Sequence, residues 1–250
     1  MTTRAAVVIA ASALSLLTAC SGADPSPTAA GSTASPSARL LWMGDSVAAG
    51  EAVPLAAAAK AGGLALESMA SEGGGNVSGI PDLTTATWDR LTEELRSFAP
   101  TVVVYQVSTF DWGTEQEQRA AYGRLLETVS AAGAELVFTT VPPIRVDDFY
   151  APHVEELRRT TAVARAVADG SGGRAAVLDS AAVWGPTYQQ DRDGERDRHP
   201  DGVHTCPQGA ARFTTWLLEE LARLVPGFTP AEPEVWANTG WAGDPAFRGC

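Results

Sequence analysis

The stretch Leu40-Leu41-Trp42-Met43-Gly44-Asp45-Ser46-Val47-Ala48-Ala49-Gly50 decides how this chain is read. An apolar run stops at Gly-Asp-Ser, and small residues follow. The pattern predicts a buried strand, a tight turn carrying a serine, and a helix behind it. A serine is a poor nucleophile until a base takes its proton, and the base needs a carboxylate to orient it. Far downstream stands Pro200-Asp201-Gly202-Val203-His204, with an Asp three residues before a His. Ser46, Asp201 and His204 are therefore the candidate catalytic residues.

Strand and helix signals alternate outward from that stretch. Candidate strands cover residues 40–43, 64–69, 101–107, 135–141 and 174–178. Candidate helices cover 48–61, 84–98 (with Thr84 as cap), 114–132, 152–169 and 208–224. Short, almost continuously apolar strands separated by helices imply a mainly parallel five-stranded sheet covered on both faces, an α/β chain with three α/β/α layers. Ligands of such sheets lie beyond the carboxyl ends of the strands. Ser46 follows the first strand there, and Asp111 and Trp112 follow the third.

Composition limits the function classes. The 250 residues are 45% hydrophobic and 19% charged, enough for one sizeable core. A formal net charge of -12 argues against nucleic acid as a partner and against charge-driven adhesion to anionic lipid. No phosphate loop, dinucleotide fingerprint or Cys/His cluster is present, so neither a cofactor nor a metal is expected.

The N-terminus reads as a targeting signal. Arg4 precedes an apolar run from Ala5 to Leu17, and Leu17-Thr18-Ala19-Cys20 resembles a bacterial lipobox. Residues 1–19 are then a signal peptide, and Cys20 is lipidated and anchors the protein at the extracytoplasmic face of a membrane. Residues 20–38, rich in Ser, Pro, Thr, Ala and Gly, read as a disordered tether. The folded domain is expected over 39–228, with a tail over 229–250 that shows no periodicity. In an oxidising compartment Cys206 and Cys250 are expected to pair and to staple the tail beside His204.

Gly44-Asp45-Ser46, the Gly-rich Glu72-Gly73-Gly74-Gly75-Asn76 and the late Asp-x-x-His resemble the SGNH (GDSL-type) hydrolase family, from Arg39 to about Phe228. The flavour is closest to the SGNH domains of bacterial envelope O-acyltransferases and their free-standing relatives. The resemblance implies a flavodoxin-like fold. It implies Ser46 as nucleophile, His204 as base and then acid, and Asp201 as the residue that orients His204. Oxyanion donors would be the Ser46 N–H and a backbone N–H of the second block, from Gly74 or Gly73. The third block departs from the usual Gly-x-Asn-Asp: it reads Ser108-Thr109-Phe110-Asp111, and Phe110 cannot donate as Asn does. Asn76 is a candidate replacement donor. Asp111 and Trp112 are the candidate substrate-binding residues.

Other residues read as scaffold. Asp45 fixes the turn, His153 faces solvent, His199 is a loop histidine at the rim, and residues 191–198 are a solvated charged loop. Trp42, Trp88 and Trp184 belong to the core. The expectation is a monomeric, lipid-anchored serine esterase acting on O-acyl esters, acetyl above all, of envelope glycans. The alternatives are an O-acyltransferase with the same triad, and a binding lipoprotein that keeps the fold without catalysis.

Overall fold

The computed structural model describes residues 38–250; the expected signal peptide, Cys20 and the tether up to residue 37 lie outside them. Five strands form one sheet: β1 (Arg39–Met43), β2 (Ala65–Ser68), β3 (Val102–Gln106), β4 (Glu135–Thr139) and β5 (Ala175–Leu178). Their order is β2-β1-β3-β4-β5, and every pairing is parallel. The progression of strands reverses at β1, so a crevice opens between the carboxyl ends of β1 and β3.

The helices are α1 (Ser46–Gly62), α2 (Pro81–Ser97), α3 (Glu115–Ala131), α4 (Val154–Asp169), the one-turn α5 (Ala181–Trp184) and α6 (Pro207–Leu224). Strand residues alternate between the two helical layers, as the period of a strand requires. Leu40, Trp42, Val102 and Val104 pack with Leu55, Phe213, Leu217 and Leu221 of α1 and α6. Leu41, Met43, Val103, Tyr105 and Phe138 pack with Leu91, Tyr122, Leu125 and Val163 of α2, α3 and α4. Each large side chain enclosed in this way contributes about 1.5–3 kcal/mol of hydrophobic free energy. Trp42, Trp88 and Trp184 are all buried, as read from the sequence.

Three boundaries differ from expectation. Helix α2 begins at Pro81, and Ile80, with no side-chain cap bond, precedes it. Proline suits the first helical position because its missing N–H would have no partner there. The Thr84 hydroxyl donates back to the Pro81 carbonyl and caps nothing. The charged run is not a plain loop: it folds into a small antiparallel hairpin of β6 (Asp191–Arg192) and β7 (Glu195–Arg196). Asp193 (φ 55°) and Gly194 (φ 85°) form its turn, the positive-φ pair that two-residue hairpin loops favour. The tail, finally, belongs to the domain. Trp236 is only 1% exposed and joins the core between α1 and α6, and Phe247 is buried as well. A disulfide joins Cys206 to Cys250, with the Cα atoms 5.6 Å apart.

Candidate active site

Ser46 is the first residue of α1, delivered by β1 to the crevice. The turn before it requires glycine. A Cβ on Gly44 (φ +155°) would lie 2.6 Å from the Ala48 Cβ and 3.0 Å from the Gln106 carbonyl. Asp45 is buried and caps the helix by accepting from Val47 N–H at 3.0 Å. Its other oxygen accepts from Thr109 N–H at 2.6 Å, Thr109 Oγ1 at 2.7 Å and Ser108 Oγ at 3.1 Å. Asp45 thus fixes the serine turn against the segment that leaves β3.

The late Asp-x-x-His lies in a tight loop just before α6. His204 Nε2 is 2.8 Å from Ser46 Oγ, and His204 Nδ1 is 2.7 Å from Asp201 Oδ2. Asp201 Oδ1 accepts from the backbone N–H groups of Val203 (2.8 Å) and His204 (3.1 Å). Burial by itself would raise the Asp201 carboxyl. The His204 ring and those two N–H donors outweigh it and bring the group down to about 2. The loop is clamped from below by Arg198, whose buried guanidinium donates to the carbonyls of Val203 (2.6 Å), Pro143 (2.9 Å) and His204 (3.3 Å). Arg145 holds its outer side: its backbone N–H donates to the Gly202 carbonyl at 2.8 Å and its guanidinium to the Pro200 carbonyl. A hydroxyl, an imidazole and a carboxylate in this sequence of hydrogen bonds can activate the hydroxyl for attack on an acyl carbon.

A pocket of about 450 Å³ opens over Ser46. Glu72 and Gly73 form one side, His199, Asp201 and His204 another, and Pro245, Ala246 and Arg248 of the tail a third. Gly73 lines the pocket, whereas Gly74 does not, and the Gly74 N–H turns inward to the Ser71 carbonyl at 3.4 Å. Gly75 serves a third purpose: a Cβ there (φ +78°) would lie 1.8 Å from the Gly44 carbonyl oxygen. Its bareness lets the glycine loop pass directly over the serine turn.

Four readings are corrected. Asp111 does not line the Ser46 pocket: it is fully buried and accepts from Tyr105 (2.5 Å) and Tyr122 (3.0 Å) hydroxyls and from the N–H groups of Val77, Ser78 and Ser108. Burial raises its carboxyl to about 6 despite those donors. It knits the glycine loop to the β3 exit. Trp112 lines a separate groove of about 620 Å³ with Trp88 and Arg124 beside α2 and α3, not the pocket of Ser46. Asn76 is fully buried, and its amide nitrogen donates to the Ser78 carbonyl at 2.6 Å, so it does not line that pocket. His153 faces solvent only in part: it stacks on Trp112 with 3.6 Å between centroids and 2° between planes.

Residues 42–212 match the GDSL-like lipase/acylhydrolase family. The chain belongs to that family. Three solved structures share the fold of this GDSL-like hydrolase. A protein from Slackia heliotrinireducens assigned to the SGNH hydrolases is 21% identical with a TM-score of 0.57, over 74% of this chain and 100% of its own. The lipase/acylhydrolase from Enterococcus faecalis is 16% identical (TM-score 0.55, 78% and 99% covered). A GDSL-like lipase from Bacteroides thetaiotaomicron is 14% identical (TM-score 0.55, 75% and 89% covered). No curated protein matches the sequence at a significant level. Within the family the chain is a serine ester hydrolase that departs from the usual pattern at Phe110. Its ring packs against Trp112 (5.5 Å) and Phe149 (6.1 Å).

Proposed function

We propose that the protein removes short O-acyl groups, acetyl above all, from polar substrates such as cell-envelope glycans. In this reading it works as a monomer, held by lipid on Cys20 at the outer face of a membrane. The observation that carries the acyl-transfer chemistry is the chain of contacts from Ser46 Oγ through His204 to Asp201. His204 takes the Ser46 proton as Oγ attacks the acyl carbon, and returns it to the leaving alcohol. Water then hydrolyses the acyl-serine with His204 as base again. The developing oxyanion is met by the N–H groups of Ser46 and Gly73, each of the kind worth roughly 3–4 kcal/mol in the barrier. Ser46 N–H stands at the positive end of α1, which adds to the attraction.

The preference for a short acyl group and a polar alcohol rests on the pocket walls. Only Pro245 and Ala246 are apolar among its lining side chains, the rest being charged, polar or glycine. A long acyl chain finds no apolar channel there. Transfer to a sugar hydroxyl instead of water is the second reading, favoured by Phe110 in the third block.

The test is 4-nitrophenyl acetate turnover by the wild type beside Ser46→Ala. Turnover lost in the variant supports the esterase. Equal rates in the two, or turnover that appears only when a sugar acceptor is added, would turn the reading away from hydrolysis.

A further inference from the structure

One buried carboxylate collects donors from both segments that flank the nucleophile. Asp111 Oδ1 accepts from the N–H groups of Val77 (3.0 Å) and Ser78 (3.1 Å), at the end of the glycine loop. Oδ2 accepts from Ser108 N–H (3.2 Å) at the exit of β3, and from the Tyr105 (2.5 Å) and Tyr122 (3.0 Å) hydroxyls. Burial raises the carboxyl to about 6, so it is ionised at neutral pH, and an ionised carboxylate only accepts. The three N–H groups only donate, so these bonds have one sense.

Each side of this bridge leads to Ser46. On one side Ser108 Oγ donates to Asp45 Oδ2 at 3.1 Å, and Asp45 caps the helix that Ser46 begins. On the other, the glycine loop starts from Ser71, whose N–H donates to the Gly44 carbonyl at 3.0 Å. From residue 72 to 76 the described hydrogen bonds stay within the loop: Gly74 N–H to the Ser71 carbonyl, and Asn76 Nδ2 to the Ser78 carbonyl. The next hold from outside comes at Val77 and Ser78, from Asp111 and, for Val77 N–H, also from the Tyr105 oxygen at 3.3 Å. Gly73, on the wall of the Ser46 pocket, thus lies in a span tied by hydrogen bonds at its two ends.

We propose that Asp111 is a positioning residue for the oxyanion. It sets the separation between the Gly73 N–H and the Ser46 N–H, the two donors that meet the tetrahedral intermediate. A carboxylate holds both segments at once because each of its oxygens accepts several bonds. An amide does not: its NH2 end would face N–H groups that carry no lone pair. Asparagine at position 111 therefore releases either the glycine loop or Ser108, and the two donors lose their spacing. They act on the developing charge and not on the bound ester, so the loss falls on kcat and leaves KM.

This inference rests on the esterase reading, and its test separates the two. The full chain is prepared as wild type, Asp111→Asn and Tyr122→Phe. Reactive serine is counted by fluorophosphonate labelling carried to completion, and 4-nitrophenyl acetate turnover is expressed per labelled serine. Affinity for phenylboronic acid is measured alongside. In that adduct the Ser46 oxygen bonds to boron, its proton passes to His204, and a tetrahedral anion results. In Asp111→Asn, kcat per labelled serine should fall about 10- to 100-fold with KM within about twofold, and boronate affinity by about tenfold or more. Tyr122→Phe keeps the bonds to the loop and to Ser108 and should change either quantity by less than about threefold. An Asp111→Asn protein that melts lower but keeps both quantities would overturn the positioning role and leave the esterase intact. An equal fall in Tyr122→Phe would trace the loss to the core and overturn it as well. If Asp111→Asn lacks a cooperative melt, Tyr105→Phe decides: turnover per labelled serine should fall about threefold or more, and an unchanged value would overturn the role. A wild type that is neither labelled nor active would overturn both readings.

Discussion

Placing a methyl group on Gly75 should damage this enzyme far more than placing one on Gly73, two residues away in the same glycine run. Both residues have positive φ, 78° and 70°, so both variants carry left-handed strain of about 1–2 kcal/mol. At Gly73 that is the whole effect, because an added Cβ meets nothing within 4 Å. At Gly75 the Cβ would lie 1.8 Å from the Gly44 oxygen, 2.4 Å from the Gly44 carbon and 3.0 Å from Asp45 N. All three are backbone atoms and cannot swing aside. Ordinary contact demands that the serine turn or the glycine loop move by more than about 1 Å. For a domain of this size each kcal/mol lowers the melting temperature by roughly 2–4 °C. Gly73→Ala should therefore melt about 2–8 °C below wild type, and Gly75→Ala, at about 4 kcal/mol or more, beyond about 10 °C below. Calorimetry reads this directly. Displacement of Ser46 by about 1 Å should also cut ester turnover on the order of 100-fold in whatever Gly75→Ala remains folded. A Gly75→Ala protein that melts no lower than Gly73→Ala, with turnover intact, would refute the crossing of loop over turn.

Other outcomes follow from the same structure. Replacing Cys206 and Cys250 by serine removes a link across 44 positions and should lower stability by roughly 4 kcal/mol on the loop-entropy account, seen as a lower melting temperature than in the oxidised wild type. Equal melting temperatures would show that the tail is held by Trp236 packing alone. Asp111 predicts a signed pH effect. Its carboxyl is raised to about 6 in the fold from 3.8, so between those values the native state binds the proton that the unfolded chain releases. The Asp111 contribution is greatest below pH 3.8 and is lost as pH rises towards 6, by up to about 3 kcal/mol. Denaturant titrations from pH 4 to 6.5 should lose that component in Asp111→Asn, and an unchanged slope would contradict it.

What could be read in advance divides along physical lines. The parallel sheet was legible because β3 and β4 are short apolar runs, and such runs have few ways to be buried except between two helical layers. The Ser46, Asp201 and His204 set was visible as residue types at telling positions. Their contacts were not, since 158 positions separate the serine from the histidine. Asp111 was misjudged because nothing in a linear chain shows that Tyr105 and Tyr122, from a strand and a helix, will close over a carboxylate at a strand exit. Trp236 was missed because a single large residue among prolines and glycines has no period. The hairpin at 191–196 hid in a charged run, although its Asp193-Gly194 pair is a recognised turn signal. In sequence His199 reads only as a rim histidine. Its partner, the Arg248 carbonyl, is a backbone atom 49 positions on, and backbone atoms carry no sequence signal.

The long separations within the site also govern when activity can begin. The nucleophile belongs to the first strand–helix unit, the base lies 158 positions later, and a wall of the pocket comes from residues 245–248, beyond the 18-residue helix α6. No early fragment of a growing chain holds more than an inert hydroxyl. Contacts this distant form late, after most loops have closed. The protein therefore carries its own delay: it cleaves no ester until α6 docks and the tail completes the pocket of Ser46.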